Sequence, residues 1–87
     1  MATVWIPTQM QNLTGGCEEV SVEGSTVREI IMNLDRAHSG FHDQLCQGSG
    51  LKPTIAVAVD GEISSIGIRQ KVTLESEIFF LPAISGG

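Results

Sequence analysis

The sequence predicts a two-layer α+β domain, with one main amphipathic helix packed on a mixed sheet of four to five strands. Two observations carry this. Val27, Ile30, Ile31, Leu34 and Ala37 fall at offsets 0, 3, 4, 7 and 10, which puts one apolar stripe along one helix face. β-prone runs also lie on both sides of that segment. A single stripe is buried most economically against one sheet face.

The elements follow in order. Thr3-Val4-Trp5-Ile6 is β-prone, and Pro7 closes it because proline lacks the ladder donor. Thr8 to Gly16 is polar, ends in Gly15-Gly16, and reads as a loop or wide turn. Glu18 to Val22 alternates toward its end and forms a second strand, antiparallel to the first. Thr26, with Glu29 three residues on, is a capping-box start for the helix, and Gly40 is its expected stop. Phe41 and Leu45 pin a short helical turn, and Gln47 to Pro53 reads as a Gly/Ser-rich loop. Thr54 to Val59 is apolar on both faces, which suggests a central strand with its branched side chains toward the helix. Asp60-Gly61 is a turn signal, and Ile63 to Lys71 holds at most a short strand. Glu77 to Leu81 is the last strand, closed by Pro82. The small β-grasp fold satisfies this order. Residues 1–82 then form the domain and residues 83–87 a flexible C-terminal arm.

The bulk properties narrow the function. Eighty-seven residues hold one modest core and leave little room for a deep catalytic cleft, so a carrier or binding module is favoured over an enzyme. The net charge is −5, and the five Lys and Arg residues are scattered. Without a basic stripe, nucleic acid and anionic membranes are not expected partners; the negative charge suits docking on a basic partner or serves solubility alone. The two cysteines are too few and too far apart for a metal site or redox pair. Neither a leader-like start nor a membrane-length apolar run is evident, which points to the cytoplasm.

The closing residues Pro82-Ala83-Ile84-Ser85-Gly86-Gly87 raise a chemical possibility. A terminal carboxylate on such an arm is a poor acylating agent until a partner joins it to AMP. A sulfur or amine nucleophile can then displace the AMP. Glycine suits this position, since it has no Cβ to block the carbonyl and tolerates backbone angles closed to other residues. Gly87 would carry the reactive carboxyl and Gly86 would give access. Pro82, Ala83, Ile84 and Ser85 would present the arm, with Ile84 filling an apolar pocket on the partner. Of the alternating residues Ile78 to Leu81, one pair, such as Phe79 and Leu81, would face outward as a docking patch.

The run Val72 to Gly87, the strand Val57-Ala58-Val59-Asp60-Gly61-Glu62 and the helix start Thr26 to Ile31 together resemble the ubiquitin-like sulfur carriers of thiamin and molybdopterin synthesis. Ile6-Pro7-Thr8, Thr14-Gly15-Gly16, Ser39-Gly40 and Leu81-Pro82-Ala83 are most similar to the cysteine-biosynthesis type. The resemblance implies a β-grasp fold and a terminal glycine that becomes a thiocarboxylate. It implies an ATP-dependent activating enzyme, a sulfur-accepting synthase that holds its own pyridoxal phosphate, and a releasing metallopeptidase. No cofactor would be bound by this chain. A molybdopterin synthase small subunit and a ubiquitin-like protein modifier are the alternatives. Two departures stand out: Glu75-Ser76-Glu77 where many relatives have Gly-Asp before the acidic residue, and Pro82-Ala83 where molybdopterin-type members have Pro-Pro.

Other residues have blander explanations. His38 and His42 have zinc-like spacing, but Gly40 interrupts it and no third ligand is evident, so helix-end histidines are expected. Cys46 reads as a small core residue. Cys17 lies by a turn, next to carboxylates that oppose a thiolate. Trp5 reads as core packing in preference to a ligand platform.

Overall fold

A computed structural model of the chain describes residues 1–82. Strand β1 (Ala2–Trp5) pairs antiparallel with β2 (Glu19–Val22). Helix α1 (Val27–Ala37) follows, then a one-turn helix α2 (Phe41–Leu45). Strands β3 (Cys46–Gln47) and β4 (Gly50–Leu51) form a small separate hairpin. Strands β5 (Ile55–Val59), β6 (Glu62–Ile63) and β7 (Glu77–Pro82) complete the main sheet. Its order is β2-β1-β7-β5-β6, with β1 and β7 parallel and the other neighbours antiparallel. A five-stranded mixed sheet carrying one main helix is the β-grasp arrangement expected from the element order.

The core lies between α1 and one sheet face. Val27, Ile30, Ile31 and Leu34 meet Val4, Val57, Ile78 and Phe80, and none of these is more than 3% exposed. Each such side chain contributes about 1.5–3 kcal/mol by leaving water. Ala37, the last member of the predicted stripe, is exposed.

The start of α1 is capped from both directions. Thr26 Oγ1 accepts from the Glu29 amide at 3.2 Å, and Glu29 Oε1 accepts from the Ser25 amide at 3.0 Å. The return bond reaches one residue further back than a standard capping box, but each side chain still satisfies one backbone amide. The helix ends at Ala37 with an extended His38, not at Gly40. Gly40 instead makes the joint to α2. Its φ is +111°, and a Cβ there would stand 3.0 Å from Leu13 Cδ2. Asp35 Oδ1 fastens the joint by accepting from the amides of Gly40 (3.1 Å) and His42 (3.0 Å). The His42 amide above all holds the Asp35 carboxyl below its ordinary range, against the effect of partial burial.

Two expectations are corrected and one is sharpened. Thr8–Thr14 is a 3-10 helix, because Met10 and Leu13, three apart, both pack on the core. Residues 46–51 hold the β3–β4 hairpin, turned by Gly48 at φ +65°, within a stretch read as loop. β5 is interior as expected, between β7 and the two-residue β6, while the middle strand of the five is β7, which pairs with β1 and β5.

The Glu75-Ser76-Glu77 departure resolves into a specific network. Asp60 and Gly61 both have positive φ, +52° and +87°, as a two-residue type I′ hairpin requires. Asp60 Oδ1 accepts from the Glu77 amide at 2.9 Å, and Asp60 Oδ2 accepts from the Ser76 hydroxyl at 3.2 Å. Ser76 Oγ in turn accepts from the Thr73 amide at 2.9 Å, and Ser76 is only 2% exposed. The turn after β5 thereby fixes where β7 begins.

Candidate functional site

The sheet face opposite α1 is where sequence parity exposes apolar side chains. Along β7, Ile78 and Phe80 point to the core, so Phe79 and Leu81 point outward; they are 37% and 41% exposed. The register extends this into a row across four strands: Trp5 on β1, Phe79 on β7, Ala58 on β5 and Ile63 on β6. Leu81 lies opposite Ala56 on the same face. The small alanines leave the two β7 side chains standing proud of their β5 neighbours.

Trp5 is the residue that sequence reasoning misplaced. It is half-buried on the outer face, not in the core. Its ring stacks on Phe79 with centroids 5.6 Å apart and 2° between planes. Its indole Nε1 donates to Glu77 Oε1 at 3.1 Å. The signal was present in the alternation of β1: Ala2, Val4 and Ile6 are buried, and Trp5 has the opposite parity.

Carboxylates border the aromatic pair. Glu19 is directly across from Trp5 on β2, and Glu77 holds the indole. An apolar centre with an acidic rim is built to meet an apolar surface bordered by basic groups.

The arm residues separate into two groups. Pro82 is the last residue of β7 and stands opposite Ile55. Ala83, Ile84, Ser85, Gly86 and Gly87 lie outside the described residues, as does the expectation that they form an arm. Phe79 and Leu81 thus sit in the strand that leads directly to that segment.

The remaining candidates are dispersed. Gly40, in a left-handed conformation, breaks the chain between His38 and His42, so they do not share a helix face. Among the described residues no group of three or more His, Cys, Asp or Glu could hold a metal ion. Cys17 is exposed, and Cys46 is half-buried against the core, with its thiol pushed up by burial and then by the Asp35 charge. No helix among the described residues is long and apolar enough to cross a membrane.

Comparison with known proteins is consistent across sequence and structure. The ThiS family model matches residues 4–87. The sulfur carrier protein CysO of Mycobacterium tuberculosis is 31% identical over 98% of this chain and 97% of its own length. The solved Amycolatopsis orientalis BexX/CysO complex contains a chain 34% identical to this one, with a TM-score of 0.94 and full coverage of both. A small archaeal modifier protein of Methanosarcina acetivorans, 19% identical with a TM-score of 0.79 over 99% of this chain and 95% of that one, shares the fold. The mixed sheet, the single main helix and a family match that spans the domain together place this chain in the ThiS family, the ubiquitin-like sulfur carriers, with CysO-type relatives.

Proposed function

We propose that the chain carries sulfur on the carboxyl group of Gly87 and delivers it in biosynthesis, most directly of cysteine. Residues 1–82 serve as the docking body and residues 83–87 as the arm. In the first step a separate activating enzyme joins the Gly87 carboxylate to AMP from ATP and releases pyrophosphate. Sulfide sulfur then attacks the acyl carbon and AMP leaves, which yields the thiocarboxylate. The thiocarboxylate sulfur then bonds to the side-chain carbon of an activated serine on a partner synthase that holds its own pyridoxal phosphate, and the serine's leaving group departs. Transfer of the Gly87 acyl group from sulfur to the amine leaves cysteine amide-linked to Gly87; a metallopeptidase hydrolyses that amide to release it. Gly86 lets the segment enter a narrow active site, because neither of the last two residues presents a Cβ. The chain itself binds no cofactor, acts as a co-substrate, and works in the cytoplasm.

The observation that carries this proposal is the likeness to sulfur carrier CysO over nearly the whole chain, together with a family match that continues through Gly87. The acid-rimmed face of Trp5, Phe79 and Leu81 supports docking on larger proteins. So does the existence of a solved CysO complex with BexX in a close structural relative. Adding one alanine after Gly87 is the direct test. The extended protein should fold with an unchanged circular dichroism spectrum and urea midpoint, yet accept no sulfur. Undiminished sulfur transfer by the extended chain would refute the proposal. A ladder of conjugates bearing Gly-Gly on lysine would assign the chain to the modifiers instead.

A further inference from the structure

A second surface lies beside α1 and around the β3–β4 hairpin, reaching β5 at Ile55 and Val57; neither Trp5 nor Phe79 lines it. Two grooves of about 450 and 560 Å³ flank the β3–β4 hairpin and meet at Ser49, Gly50 and Ile68. Their walls are apolar, built by Ile31 and Met32 of α1 on one side and by Leu51, Ile55 and Ile66 on the other. Their charge is the unusual feature. Arg28, Lys52 and Arg69 line them, three of the five Lys and Arg residues, together with His42. None of the ten carboxylates lines either groove in a chain of net charge −5. Among the described residues the only ion pair to any of these four groups is His42 with the exposed Asp43, at 4.0 Å.

Arg28 is exposed and poorly placed for the helix dipole. It occupies the second position of α1, after the Thr26 cap, where the helix dipole disfavours a cation by about 0.3–1 kcal/mol. A glutamate or alanine would serve the helix better. Exposed and without an ion pair among the described residues, Arg28 is open to an anionic partner.

The geometry points to a docking site for an extended acidic segment of a partner protein, one that alternates carboxylate and branched apolar side chains. Two joined grooves accommodate several residues of an extended chain. Their apolar walls take the branched side chains, and the cations at both ends take the carboxylates. Ile55, which lines the second groove, stands opposite Pro82, so the bound segment would lie beside the root of residues 83–87. The outer sheet face stays free for a second partner at the same time.

The test uses the whole chain, labelled with nitrogen-15, and the peptide acetyl-Glu-Ile-Glu-Val-Glu-amide. Its glutamine counterpart serves as the neutral control. The acidic peptide should shift the amides of Met32, Gly48, Ser49, Gly50 and Ile68 and leave those of Trp5 and Phe79 in place. The double variant Arg28→Glu with Arg69→Glu should bind at least about tenfold more weakly. The single variant Arg28→Glu should show a urea midpoint that does not fall, since it improves the match to the dipole. Equal binding of the glutamine peptide, or shifts confined to the outer face, would overturn the inference. Inorganic phosphate alone reproducing the shifts would also overturn it, in favour of a small-anion site. The same shifts on removing residues 83–87 without any peptide would overturn it by making the chain's own end the occupant. None of these outcomes bears on the chemistry of Gly87, which mass measurement addresses separately.

Discussion

Phe79 and Phe80 are adjacent, chemically identical and on opposite faces of β7, so they separate docking from folding. Phe80 is 3% exposed in the core, and Phe80→Ala should cost about 3–5 kcal/mol through lost burial and the cavity left behind. Phe79 is 37% exposed, so it keeps roughly two-thirds of the 1.5–3 kcal/mol of a fully buried ring, or about 1–2 kcal/mol. The stack on Trp5 adds about 0.5–1.5 kcal/mol. Phe79→Ala should therefore cost about 1.5–3.5 kcal/mol in urea unfolding. That leaves the protein folded at 25 °C if its total stability is in the ordinary range of about 5–15 kcal/mol. Folded Phe79→Ala should still be a poor substrate of its activating enzyme. An aromatic anchor at an interface centre is worth about 2 kcal/mol or more, about 30-fold in kcat/KM. Equal stability losses for the two variants would show that the outer face is packed like a core. Full activation of Phe79→Ala would remove the docking face from the mechanism.

Two further outcomes follow from the polar contacts. Ser76→Ala removes a buried hydroxyl that joins Thr73 to Asp60, leaving the Thr73 amide without its acceptor; a loss of about 1–3 kcal/mol in urea unfolding is expected. Asp35 has a folded pKa below its ordinary value of 3.8, so the stability it lends is complete above the unfolded carboxylate range. That contribution disappears as pH falls through 3.8 toward the lowered folded value. Asp35→Asn should flatten the acid limb of a plot of unfolding free energy against pH. An unchanged acid limb would mean that the bonds to Gly40 and His42 do not favour the ionised form.

What was legible in the sequence was local. The Thr26–Glu29 cap, the α1 stripe and the Asp60-Gly61 turn each depend on residues a few positions apart, and each stands where expected except that the stripe stops at Leu34, with Ala37 exposed. That one alternate pair of β7 faces outward followed from the two-residue period of a strand; that it is Phe79 and Leu81 is seen in the structure. What was not legible depends on distant partners. The stack between Trp5 and Phe79 exists because β1 lies parallel to β7, and nothing local to either strand specifies that pairing. The central place of β7 is likewise a property of pairing, while the apolar run of β5 resembled a central strand on composition alone. Ser76 looked like a departure from a glycine turn. Its role became visible only with Asp60, sixteen positions earlier, beside it. The grooves around Arg28 and Arg69 assemble from three segments and had no signature in any one of them.

The most direct measurement is the intact mass of the protein after incubation with ATP, its activating enzyme and sulfide. Replacement of one oxygen by sulfur, located to Gly87 by fragmentation and absent when ATP is withheld, is the predicted result. An unchanged mass under conditions that fully convert a known sulfur carrier, or sulfur found on Cys17 or Cys46 instead, would contradict it.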